Sequence, residues 1–111
     1  MSETITSGSW QPMAGHEDAF VEAWIEFASW ASGMAGAGTL RLARDLNDPT
    51  RLVSYGNWET LDAVHAWKGT SEFRDRMARV LQHVDDFRPV ELGTVATARA
   101  GAAALESAAL A

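Results

Sequence analysis

Between Arg51 and Phe73 the hydrophobic period of the chain changes, and that change forces a strand-to-helix corner. Up to Trp58, Leu52 and Ser54 alternate with Val53 and Tyr55, the two-residue period of a strand. Beyond Trp58-Glu59-Thr60, Leu61, Val64 and Trp67 share one side of a helix. A tryptophan therefore stands on each side of one corner. Rings of that size either line a cavity or fill a core.

The rest of the chain supplies what such a corner needs. Thr4 to Trp10 reads as a strand that ends at Gln11-Pro12. Glu17 and Asp18 open a helix, with acids at the positive end of its dipole. Phe20, Trp24, Phe27, Ala28 and Ala31 form its apolar stripe, and Trp30 falls on the opposite side. Ser32-Gly33 stops it. Thr39 to Arg44 is a second strand, Asp45 to Thr50 a polar turn of hairpin length, and Leu52 to Trp58 the third strand. Thr60 is placed to cap a short helix that ends near Lys68-Gly69, and Thr70 or Ser71 to cap the next. There Phe73, Met77, Val80, Leu81 and Val84 keep helical spacing, so the helix is expected to run until Phe87-Arg88-Pro89 ends it. Val90 to Ala98 is then the fourth strand.

This order, β-α-β-β-α-β, predicts an α+β fold of ferredoxin-like type: a four-stranded antiparallel sheet with helices on one face. One domain is expected over residues 1–98, followed by an alanine-rich tail over 99–111. Helices on one side leave the other side of the sheet bare. Alternate residues of strand three are apolar or aromatic on both faces, and a large bare apolar face is normally covered. The expectation is a homodimer whose two sheets pack face to face and so enclose a chamber.

Composition narrows the function. The net charge of −6 argues against nucleic acid and against an anionic membrane surface, both of which need a basic face. Arg74, Arg76 and Arg79 lie close together, but Asp75, Asp85 and Asp86 dilute them. With no cysteine, disulfides, thiolate metal sites and a thiol nucleophile are excluded. No apolar run approaches the ~18 residues of a membrane span, and Met1-Ser2-Glu3-Thr4 lacks the basic start of a secretory signal. The expected setting is cytoplasmic. Five tryptophans in 111 residues are more than a small core readily hides, since each buries roughly 150–250 Å². Some of them are expected to face a ligand or a second subunit.

Several short runs carry a family resemblance. Gly8-Ser9-Trp10, Gly15-His16-Glu17-Asp18-Ala19-Phe20, Gly38-Thr39-Leu40-Arg41-Leu42, the turn Asn47-Asp48-Pro49, Trp58-Glu59-Thr60 and Ser71-Glu72-Phe73 resemble the antibiotic biosynthesis monooxygenase family. The resemblance covers roughly residues 4–98 and implies a dimeric α+β barrel. In relatives that oxidise aromatic polyketides without a cofactor, an asparagine precedes the corner tryptophan by four residues. Here that position is Ser54, which can exchange one hydrogen bond each way but cannot reproduce an amide. Haem-degrading relatives carry an iron-binding histidine where this chain has Met77. A thioether is a poor substitute there, so haem degradation is not expected. The tryptophan those relatives carry at the position of Trp67 is kept.

Candidate residues follow from the corner and the resemblance. Trp58 and Trp67 would stack on a flat aromatic substrate, or pack sheet against helix. Ser54 shares a strand face with Trp58 and could anchor a substrate oxygen. His65 is the nearest group titrating close to neutral pH, a candidate base to deprotonate a phenol or activated CH. Leu52, Trp24 and Met77 complete the candidate substrate wall. His16 and His83 read as surface residues, and no histidine stands at metal-binding spacing. No motif implies a flavin, metal or haem. The expected function is cofactor-independent oxidation of an aromatic or polyketide-like molecule by molecular oxygen, with the substrate anion as electron source. A non-catalytic binding module and an aromatic cyclase are the alternatives.

Overall fold

The computed structural model describes residues 3–101. The elements are β1 (Thr4–Pro12), α1 (Glu17–Ala31), β2 (Ala37–Arg44), β3 (Leu52–Trp58), α2 (Leu61–Lys68), α3 (Ser71–Leu81) and β4 (Val84–Gly93). All strand pairs are antiparallel, in the order β2-β3-β1-β4. This is the ferredoxin-like sheet, with the second helical segment of the chain divided into α2 and α3. Thr60 and Thr70 cap those two helices, accepting from the backbone N–H of Ala63 and Phe73 respectively. Among the described residues no helix is long and apolar enough to cross a membrane.

Beyond a two-residue earlier start of β2, the boundaries that differ from the sequence expectation lie around β4. The helix predicted to run to Phe87 ends at Leu81, and the fourth strand begins at Val84 rather than Val90 and stops at Gly93. Val84 continues the apolar spacing of α3, but the long β1 strand offers partners out to Pro12, and Val84 pairs there. Tertiary ladder pairing thus overrides local period. Pro89 sits inside β4 without penalty because β4 is an edge strand, where no outer neighbour asks for its missing N–H. The predicted alanine-rich tail lies, from residue 102 onward, outside the described residues.

Register assigns the two faces of the sheet. Thr4, Thr6, Gly8 and Trp10 stand opposite Trp58, Gly56, Ser54 and Leu52 of β3, and opposite Gly93, Glu91, Pro89 and Phe87 of β4. These residues face the helices. Ile5, Ser7, Ser9, Val53, Tyr55, Val90 and Leu92 belong to the other, uncovered face. The core lies between sheet and helices and is built from Trp10, Phe20, Trp24, Phe27, Ala28, Ala31, Leu52, Trp58, Val64, Trp67 and Val80. Trp30, off the α1 stripe, is half-buried and meets Phe27 edge-on while Arg76 of α3 lies 5.1 Å above its ring.

Candidate active site

The helix-facing side of the two central strands carries bulk at its ends and almost none in its middle. Trp10 pairs with Leu52 at one end and Thr4 with Trp58 at the other. Between them, Thr6 stands opposite Gly56 and Gly8 opposite Ser54. Four small residues therefore form a low floor that the helices above cannot reach down to fill. The result is a cavity of about 280 Å³, near the lower end of small-molecule sites. Trp24 and Phe27 of α1, Trp67 of α2, and Phe73 and Met77 of α3 roof it. Phe87 and Pro89 of β4 and Leu40 of β2 close its flanks. The chamber thus lies within one chain, on the helix side of the sheet. The sequence reading placed its enclosure under the bare face; the floor residues Thr6, Gly8, Ser54 and Gly56 instead share the helix-facing parity.

The close approach of Phe87 explains Gly8. A Cβ on Gly8 would stand 2.7 Å from Phe87 Cε1 and 3.2 Å from Ser54 Oγ. Phe87 is held there by stacking on Trp10, with ring centroids 3.8 Å apart.

The candidate residues divide. Ser54, Trp67, Trp24 and Met77 line the chamber. Leu52, Trp58 and His65 do not. Leu52 is buried beside Trp10 at the end of the floor. Trp58 is 2 % exposed and stands behind Trp67, the two rings stacked at 4.6 Å. His65 is exposed on the outer side of α2, its Nε2 3.5 Å from Glu91 Oε1. Helical geometry accounts for this: residues two apart project to different sides of a helix, so the side of α2 that brings Trp67 inward turns His65 out. Thr6, Gly8, Gly56, Lys68 and Phe87 join the chamber without having been singled out. The alternation Thr6-x-Gly8 against Ser54-x-Gly56 was the available signal, and it required the β1–β3 register to be seen.

The polar groups of the chamber are tightly arranged. Trp10 Nε1 donates to Ser54 Oγ at 2.9 Å, and Trp58 Nε1 donates to Thr6 Oγ1 at 3.1 Å. Lys68 Nζ donates to Glu91 Oε2 at 2.9 Å. That hydrogen bond, more than the accompanying charge, holds the Glu91 carboxyl below its ordinary range. The indole N–H of Trp67 is buried without a hydrogen-bond partner among the described residues. Among the described residues no histidine, aspartate or glutamate lines the chamber. His16 and His83, distant in sequence, meet at the surface with their Nδ1 atoms 3.3 Å apart. Among the described residues no cluster of three metal-ligating side chains occurs.

A family model for antibiotic biosynthesis monooxygenases matches residues 6–79. No curated protein matches the sequence. Solved structures of the same fold include proposed antibiotic biosynthesis monooxygenases from three bacteria. That of Nitrosomonas europaea is 20% identical with a TM-score of 0.73, over 84% of this chain and 90% of that one. The Deinococcus radiodurans protein is 15% identical at 0.76, over 86% and 96%. The Bordetella bronchiseptica protein is 16% identical at 0.75, over 87% and 99%. At these identities the likeness is one of fold.

Proposed function

The chain belongs to the antibiotic biosynthesis monooxygenase family, and from that premise we propose that it oxidises an aromatic or polyketide-like small molecule with molecular oxygen and without a cofactor. The observation that carries the reading is the chamber itself: about 280 Å³, floored by Thr6, Gly8, Ser54 and Gly56 and walled by aromatic rings. A flat ring can lie on such a floor, and the Ser54 hydroxyl can donate to one of its oxygens. Trp67, Trp24 and Met77 confine the ring. Leu52 and Trp58 act from behind this wall, Trp58 by setting the plane of Trp67.

The chemistry needs no outside reductant. An anthrone-type methylene loses two hydrogens and gains one oxygen atom to become a carbonyl, while the second oxygen atom leaves with those hydrogens as water. The substrate supplies all the electrons. The protein contributes orientation and a water-poor environment. His65 touches Glu91 rather than the chamber, so its contribution is indirect, through the Glu91–Lys68 pair.

Proteins of this family are typically dimeric, and a homodimer through the bare sheet face is part of the proposal. Its support is the exposure of Tyr55, Val90 and Leu92 at 42%, 48% and 48% on that face. A sedimentation profile showing only monomer at micromolar concentration would contradict it.

One observation favours a second reading. Among the described residues the chamber wall holds no carboxylate or imidazole that could act as a base. A binding module, or a cyclase that mainly positions its substrate, fits that lack. Incubation with an anthrone in air and under argon separates oxidation from the other two. Turnover only in air supports oxidation; product formed equally under argon excludes it; saturable binding without product in either atmosphere fits a module or a cyclase, for which the closed-ring anthrone offers no bond to form.

A further inference from the structure

The floor of the chamber offers free hydroxyl donors. An indole N–H can only donate, and two of them engage the hydroxyls on the floor: Trp10 that of Ser54, Trp58 that of Thr6. Each hydroxyl oxygen thereby has one of its two lone pairs taken, and among the described residues no protein acceptor takes either hydroxyl hydrogen. Both hydroxyls are biased to donate onward. The side chains of Ser7 and Tyr55 belong by register to the opposite face of the sheet. Among the described residues Lys68 is the one charged residue in the lining. Its ammonium has three donors, and the contact with Glu91 Oε2 uses one of them.

A greasy chamber with free hydroxyl donors on its floor and a lysine in its lining favours one kind of guest. Charge-assisted hydrogen bonds to an anionic oxygen are stronger than neutral ones, the more so where water is excluded. The protein as a whole carries a charge of −6, so its long-range field disfavours an anion and a local cation must provide the preference. We infer that the chamber selects a planar ring bearing an anionic oxygen of carboxylate or phenolate type, and that Lys68 is the residue that sets this preference. The inference rests on the chamber being a ligand site. Glu91 has a defined part in it: it neutralises Lys68 in the empty chamber and competes with the incoming anion for the ammonium.

A pair of probes tests it. 2-Naphthoate and 2-naphthamide share ring and shape and differ in charge. Calorimetric titration of each into the full-length protein near neutral pH is expected to show naphthoate binding about tenfold tighter or better, the scale of a charge-assisted hydrogen bond. Lys68→Gln should abolish that preference and leave amide binding within about twofold, since only the charged contact is removed. Glu91→Gln, which removes the competing carboxylate, should widen the preference. Circular dichroism establishes that both variants are folded. Equal binding of the two probes by the unaltered protein, or a preference that survives in folded Lys68→Gln, overturns the charge inference while leaving the chamber a ligand site. Binding of neither probe overturns the chamber reading and this inference with it.

Discussion

Trp58 and Trp67 stack with ring centroids 4.6 Å apart and planes inclined by 27°, yet their indole nitrogens have opposite fates. Trp58 Nε1 is satisfied by Thr6; Trp67 Nε1 is buried with no partner among the described residues. Replacing each by phenylalanine removes a similar volume but a different polar balance. Trp58→Phe loses a buried hydrogen bond, whereas Trp67→Phe deletes a group that already lacks one. Trp58→Phe should therefore be the more destabilising by about 1–3 kcal/mol. Urea denaturation midpoints of the two variants check this, and equal midpoints would contradict it.

Gly8→Ala should close the chamber from below. The added methyl would stand 2.7 Å from a ring carbon of Phe87 that Trp10 already holds in a stack. Phe87 must move, and its escape route is into the chamber. Overpacking of this kind costs about 1–3 kcal/mol. The expected outcome is a lowered melting temperature together with loss of aromatic-ligand binding by calorimetry. Retained binding at unchanged affinity would show that the ligand does not lie on this floor.

The course of the chain was legible wherever one signal acted alone. β3 begins and ends where its two-residue alternation does, and α2 begins where Thr60 can cap it. The α3–β4 boundary was not, because Val84 satisfies two patterns: it extends the apolar side of α3 and it also pairs with Pro12. Only the sheet decides between them. The site was half legible for a similar reason. Ser54 and Trp67 were visible as large or polar residues beside a corner. Gly8 and Gly56 contribute by lacking side chains, and a void becomes apparent only when the β1–β3 register brings the two small pairs together. His65 drew attention by its chemistry, but its place on the helix turned it outward.

The acid limb of stability should depend on Asp86. The Arg51 guanidinium hydrogen-bonds its carboxylate at 2.9 Å, Arg88 adds a second contact, and together they hold its pKa below the ordinary value. With the folded-state pKa depressed, the unfolded chain binds the proton more readily. The stabilisation is then present above the unfolded carboxylate value, about pH 4, and is lost as pH falls through the folded-state value. Asp86→Asn should lower stability near neutral pH and flatten its decline in acid. Thermal melts from neutral pH down to about pH 2 test this; parallel curves for the two proteins would rule out the linkage.

Leu92→Asp should separate the proposed dimer without harming the chamber. Leu92 is 48% exposed and stands opposite Ile5 on the bare face, away from the helix-facing floor. In a two-fold interface each substitution enters twice. Two carboxylates would then be buried on apolar surface, with Arg51 and Arg88 gathered around Asp86 at the other end of the sheet and Arg41 on β2, the opposite edge strand. Burying unpaired charge costs several kcal/mol per group, so the dimer constant should weaken by about a hundredfold or more. Sedimentation velocity reads the assembly, and naphthoate calorimetry on the same sample reads the chamber. A monomer that still binds the ring establishes that the bare face assembles the protein while each chain keeps its own site. An undisturbed dimer means that the second copy is seated elsewhere.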